Sequence, residues 1–122
     1  MSRILIVDDD QSIVQLLSDY LTEEGYDVTP ATQSLRVFDR AKESRPDLIL
    51  LDIMMPYLDG FDQLKLFSLD EELRNIPIIV ITARARALEG VQDLRSLRIV
   101  DYLYKPFDMS ELLQKIKKVL PN

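Results

Sequence analysis

Carboxylates, a hydroxyl and an ammonium recur in this sequence directly after short apolar runs. Asp8, Asp9 and Asp10 follow the run 4–7, and Asp52 follows the run 48–51. Thr82 follows the run 76–81, and Lys105 follows the run 99–104. If the runs are strands of one parallel sheet, these groups all arrive at its carboxyl edge. In open α/β sheets that edge binds ligands, near the point where strand order reverses. Carboxylates from neighbouring strand tips repel one another in a partly desolvated pocket. A hard divalent cation relieves that repulsion, and Mg2+ prefers few carboxylates, several waters and phosphate oxygens. A carboxylate in such a site can act as a nucleophile toward phosphorus. The metal and Lys105 could then meet the charge developing on the phosphoryl group. Thr82 offers a hydroxyl donor for a phosphoryl oxygen, and its small neighbour Ala83 leaves room for a phosphodonor.

The elements that must position these groups are legible in the hydrophobic pattern. The runs 4–7, 48–51 and 76–81 are nearly continuous in Ile, Leu and Val, as suits strands covered on both faces. Weaker runs lie at 26–29 and 99–104. Between them, Ile13, Leu16, Leu17, Tyr20 and Leu21 fall on one helical face, with Gly25 as the stop. Leu35, Phe38 and Ala41 indicate a second helix ending before Pro46. Phe61, Leu64 and Phe67 indicate a third, and Leu88, Val91 and Leu94 a fourth. Leu112, Leu113, Ile116, Val119 and Leu120 indicate a fifth. Asp108 or Ser110 stands near its start, and Lys115, Lys117 and Lys118 stand toward its end, where they favour the helix dipole. Asp10 is placed to cap the first helix. Strands alternating with helices imply a doubly wound α/β sandwich with a five-stranded parallel sheet and five helices. No repeat or linker interrupts it, so residues 1–122 read as one domain.

Composition narrows the function classes. The 122 residues, 47% of them hydrophobic, suffice for one ordinary globular core. Without cysteine there is neither a disulfide framework nor a thiolate metal site, and without histidine there is no imidazole chemistry within this chain. A net charge of −6 argues against direct nucleic-acid binding. No signal peptide or membrane-length apolar segment is present, so a cytoplasmic protein with no membrane contact is expected.

Four segments in order resemble the bacterial response-regulator receiver family, of the chemotaxis-regulator type. They are Ile4-Leu5-Ile6-Val7-Asp8-Asp9-Asp10; Leu51-Asp52-Ile53-Met54-Met55-Pro56 with Asp59-Gly60; Ile81-Thr82-Ala83-Arg84; and Tyr102-Leu103-Tyr104-Lys105-Pro106-Phe107. The resemblance implies a flavodoxin-like fold of strand order 2-1-3-4-5. It implies that Asp52 is the phosphoacceptor, supplied by a phosphohistidine on a histidine kinase or histidine phosphotransfer protein. Asp9 and Asp52 would bind magnesium directly, Asp8 mainly through water, and the Met54 backbone carbonyl would be a further ligand. Thr82 would move to bond the phosphoryl group, Tyr102 would swing inward behind it, and Lys105 would pair with a phosphoryl oxygen. The family usually has a cis peptide at the Lys105–Pro106 position. The outcome would be a signalling switch acting through the fourth helix, fifth strand and fifth helix. It would address a downstream effector or an output domain outside this sequence, and a homodimer is compatible with it.

The sequence also departs from the family pattern. Tyr57 replaces the glycine usual after the proline, and Leu97-Arg98-Ile99-Val100 stands where a small-residue turn normally precedes the fifth strand. The interval from Thr82 to Lys105 is one residue longer than is typical. An altered fourth helix or an altered turn into the fifth strand is therefore expected. Two other functions compete. An aspartate-dependent phosphatase would place a second acid where Met54 stands, which argues against turnover of outside substrates. The second is an inactive receiver-like interaction module, which would not need intact acids, threonine and lysine, or a flavodoxin-like nucleotide binder, against which the first loop's lack of a glycine-rich phosphate cradle counts.

Overall fold

The computed structural model describes residues 2–53, 60–83 and 98–120. Five parallel strands make one sheet: β1 (Arg3–Val7), β2 (Asp27–Ala31), β3 (Leu48–Asp52), β4 (Ile78–Thr82) and β5 (Ile99–Tyr104), in the order β2-β1-β3-β4-β5. Four α-helices lie among the described residues: α1 (Gln11–Glu23), α2 (Val37–Ser44), α3 (Gly60–Ser68) and α4 (Met109–Val119). Here α4 is the fifth helix of the sequence reading. The fourth, expected around Leu88, Val91 and Leu94, lies outside the described residues, as do Met54, Met55, Tyr57 and Arg84. No helix among the described residues is long and apolar enough to cross a membrane.

Side chains alternate across a strand, so a strand apolar at every position feeds two cores. Leu5, Val7, Ile49, Leu51, Ile78 and Val80 pack on one face with Val37 and Ala41 of α2 and Phe67 of α3. Ile4, Ile6, Leu48, Leu50, Ile79 and Ile81 pack on the other with Val14, Leu17 and Leu21 of α1 and Leu112 and Ile116 of α4. Burying each such side chain contributes about 1.5–3 kcal/mol. The sheet is thereby packed between two helical layers, which fix the strands that carry its carboxyl edge. The edge strand β2 tolerates Pro30, whose missing amide donor would disrupt a central strand.

Three boundaries differ from the sequence reading. Leu35 is 77% exposed in a short 3-10 turn, and α2 begins at Val37, which takes the core position instead. The spacing of Leu35, Phe38 and Ala41 fits a helix, but the pair Val37 and Ala41 fits it equally and is the buried one. The fourth run loses Ile76 and Pro77 to the preceding turn, so β4 starts at Ile78. Tyr26 precedes β2 yet is buried in the core.

Helix ends follow local chemistry. The Asp10 carboxylate accepts from the backbone N–H groups of Ser12 (3.0 Å) and Ile13 (3.3 Å), as expected of an N-cap. Gly25 adopts φ +96° after α1, a conformation that favours glycine. Asp108 stands at the N-cap of α4, but its side chain makes no capping bond.

Candidate functional site at the carboxyl edge

Register brings the separated motifs together. Val7 pairs with Leu51, so Asp8 just beyond β1 faces Asp52 at the tip of β3. Asp52 pairs with Ile81, which places Thr82 at the next tip, and Thr82 pairs with Tyr104 immediately before Lys105. The backbone N–H of Lys105 donates to the Thr82 carbonyl at 2.8 Å and fixes the lysine beside β4. The Lys105–Pro106 peptide is cis. The chain passes from β1 outward to β2 on one side and to β3 on the other, so the acids sit where strand order reverses.

Carboxylate oxygens of Asp8, Asp9 and Asp52 lie within 4.8 Å of one another. Asp8 is 3% exposed and Asp52 4% exposed, whereas Asp9 faces solvent. The Lys105 ammonium donates to Asp8 Oδ2 at 3.0 Å and to Asp52 Oδ2 at 3.2 Å, and the Asp10 N–H donates to Asp8 Oδ1 at 2.9 Å. Burial pushes the Asp8 carboxyl above its usual range, and the neighbouring Asp52 charge adds to this; the Asp10 N–H and Lys105 oppose it only in part. Burial works against the Lys105 ammonium, but its hydrogen bonds and charge attraction to Asp8 and Asp52 outweigh that and raise its pKa. Lys105 therefore stays protonated at neutral pH.

Three acids against one lysine leave an excess of negative charge on clustered carboxylate oxygens at this edge. That donor set fits a hard divalent cation such as magnesium and offers nothing to a soft metal.

The sequence reading placed Asp8, Asp9, Asp52, Thr82 and Lys105 at this edge, and they meet there. Thr82 is buried at the end of β4. Tyr102 is 39% exposed on β5 and pairs with Val80, so it lies on the same sheet face as Thr82. The Met54 carbonyl, expected as a metal ligand, falls outside the described residues. The link from Lys105 to Asp8 was not foreseen, because it joins residues 97 apart that only the closed sheet brings together. The altered fourth helix or turn expected ahead of β5 falls largely outside the described residues, and β5 itself carries a register irregularity near its start. Ile78 pairs with Ile99 and Ile79 with Asp101, which leaves Val100 without a counterpart in β4.

Comparison with known proteins agrees with this geometry. The family model described as the response regulator receiver domain matches residues 4–117. The DNA-binding dual master transcriptional regulator RpaA of Synechocystis is 39% identical over 98% of this chain, which spans 49% of that regulator. Sporulation initiation phosphotransferase F of Bacillus subtilis is 38% identical over 98% of this chain and 94% of its own length. The chain thus spans about half the length of the DNA-binding regulators it matches and nearly all of the phosphotransferase. Among solved structures, the chemotaxis protein CheY4 of Vibrio cholerae superposes with a TM-score of 0.86 at 31% identity, covering 98% of this chain and 99% of that one. The response regulator TrrA of Thermotoga maritima, in complex with Mg(2+)-BeF, gives 0.82 at 31% identity, covering 98% and 100%. Strand order, site geometry and sequence relatives converge, and this chain belongs to the response regulator receiver domain family.

Proposed function

We propose that Asp52 is the phosphoacceptor of a two-component signalling switch, with a phosphohistidine on a histidine kinase or histidine phosphotransfer protein as donor. The observation that carries this reading is a buried carboxylate at a strand tip with an ammonium 3.2 Å from its Oδ2 and two further acids clustered beside it. An Asp52 oxygen attacks phosphorus and forms a P–O bond. The P–N bond to the partner's imidazole breaks, and its electron pair returns to the ring nitrogen. Lys105 is already beside the reacting carboxylate and offsets the charge of the transferred group. Thr82 supplies a hydroxyl donor, and Tyr102 responds behind it. Asp8, Asp9, Asp52 and the Met54 carbonyl would hold Mg2+, which would supply positive charge to the phosphoryl oxygens when bound.

We read residues 1–122 as one cytoplasmic receiver unit that addresses a downstream effector, an output domain or a second copy of itself. It hydrolyses its own acyl phosphate and turns over no outside substrate. The absence of a second acid two residues after Asp52 supports that last point.

The test is incubation with magnesium and acetyl phosphate, followed by mass spectrometry. Stoichiometric, base-labile labelling of Asp52 is expected, with none in Asp52→Asn, and Asp9→Ala should remove most of the magnesium dependence. Steady turnover of an unrelated phosphoester, or no label at all, would refute the proposal.

A further inference from the structure

A second charged feature of the carboxyl edge sits one strand away from the acids and has the opposite sign. Pro30, Ala31, Thr32 and Gln33, together with Arg36 and Arg40, line a cavity of about 200 Å3 at the end of β2. Arg36 closes the 3-10 turn at the N-cap of α2, and Arg40 lies one turn into that helix; both line the cavity. No acid is among the lining residues, and none of the ion pairs among the described residues uses either guanidinium. Both arginines are exposed, and an anion entering the cavity they line would meet two like positive charges.

Ligand class follows from shape and donors. The guanidinium fork matches carboxylate and phosphate oxygens in a bidentate geometry that lysine cannot reproduce. Thr32 and Gln33 add side-chain donors to the wall. The volume is below the roughly 300–1,000 Å3 typical of sites for drug-sized ligands. It suits a single oxyanionic group rather than a nucleotide.

We propose that the Arg36–Arg40 cavity is an oxyanion site that takes one phosphate or carboxylate group. Its wall is tied to the acid cluster, because the Ala31 carbonyl accepts the Asp8 N–H at 3.2 Å. Anions repelled by Asp8 and Asp9 thus meet cationic groups on the turn and helix that follow the adjoining strand. The group could belong to a free phosphate or to an acidic side chain of a docking protein, and these sources are separable by experiment.

The whole chain, isotope-labelled and in magnesium-free buffer, is titrated with inorganic phosphate and, separately, with a tetraglutamate peptide. Nuclear magnetic resonance follows the Arg Nε–H groups and the amides of residues 31–40. Saturable shifts at Arg36 and Arg40 are expected with at least one probe. The affinity should fall about tenfold or more in Arg36→Gln/Arg40→Gln. It should hold in the charge-matched Arg74→Gln/Arg98→Gln protein. Tighter saturation by phosphate supports the site with a free phosphate as its source, and tighter saturation by the peptide supports it with an acidic side chain. The proposal is overturned if shifts grow without saturating for both probes, persist in the Arg36/Arg40 variant, or disappear equally in the control.

Discussion

Asp8 and Asp9 adjoin in sequence but stand in opposite environments. Asp8 is buried, carries a raised pKa and shares the Lys105 ammonium with Asp52, while Asp9 reaches solvent. The lysine therefore bridges two buried carboxylates and offsets their repulsion in the metal-free protein. Removing one partner of a buried ion pair costs more than the pair contributes, because the remaining charge stays desolvated. Lys105→Met should therefore lower metal-free stability by about 2 kcal/mol, read from urea unfolding. Added magnesium should recover much of that loss, since a cation can take over the neutralising role, and the variant should bind magnesium more tightly than the parent chain. A variant as stable as the parent without metal would show that Lys105 contributes nothing to holding the acids. The acids, hydroxyl and ammonium were legible because each follows an apolar run. The burial difference between Asp8 and Asp9 was not, because it depends on which way each side chain turns after β1 ends.

At the scale of elements, the central strands were readable because burial on both faces leaves no polar position to interrupt the run. The edge of α2 was harder, since two overlapping helical spacings compete there and only packing decides between them. Its far end carries a non-glycine residue in the left-handed region: Arg45, φ 48° and ψ 63°, just before Pro46. An L side chain there costs roughly 1 kcal/mol relative to glycine. Arg45→Gly should therefore raise stability by about 0.5–1 kcal/mol, visible as a higher melting temperature with Asp52 labelling intact. The turn after α3 is set differently. Asp70 Oδ1 accepts from the backbone N–H groups of Glu72 (2.8 Å) and Leu73 (3.1 Å), and its carboxylate pairs with Lys42 of α2 at 3.0 Å. Desolvation tends to raise the Asp70 pKa, but Lys42 and the two N–H groups outweigh it, so the net shift is downward. A depressed carboxyl stabilises the fold above its ordinary pKa, and that contribution fades as pH falls through the depressed value. Asp70→Asn keeps an acceptor for the turn but loses the charge. It should unfold at lower urea than the parent at neutral pH, and the two curves should converge in acid below the usual carboxylate range.

Across the whole molecule, the question is how a charge change at the tip of β3 reaches a surface that a partner can read. The sheet is clamped on both faces, so its strands cannot shift far without opening a packed core. Movable groups are then expected beyond the strand tips or on an edge strand, β2 or β5. Tyr102 meets that condition: it is exposed, sits on the last strand and shares a face with buried Thr82. If Thr82 turns toward a phosphoryl group on Asp52, it vacates space on that face, and an aromatic ring that enters it removes apolar surface from water. A side chain of this kind can contribute a few kcal/mol on full burial, enough to bias a two-state surface. Magnesium with acetyl phosphate, or with beryllofluoride as a phosphoryl mimic, should therefore protect Tyr102 from a solvent-borne tyrosine reagent, as mapped by peptide mass spectrometry. Tyr20, partly exposed on α1, should react unchanged and serves as the internal reference. In Thr82→Ala the Asp52 label should still form while Tyr102 protection no longer depends on it. Equal Tyr102 reactivity with and without the phosphoryl group in the parent chain would show that β5 does not carry the signal, leaving the phosphoacceptor chemistry intact but its route to the surface elsewhere.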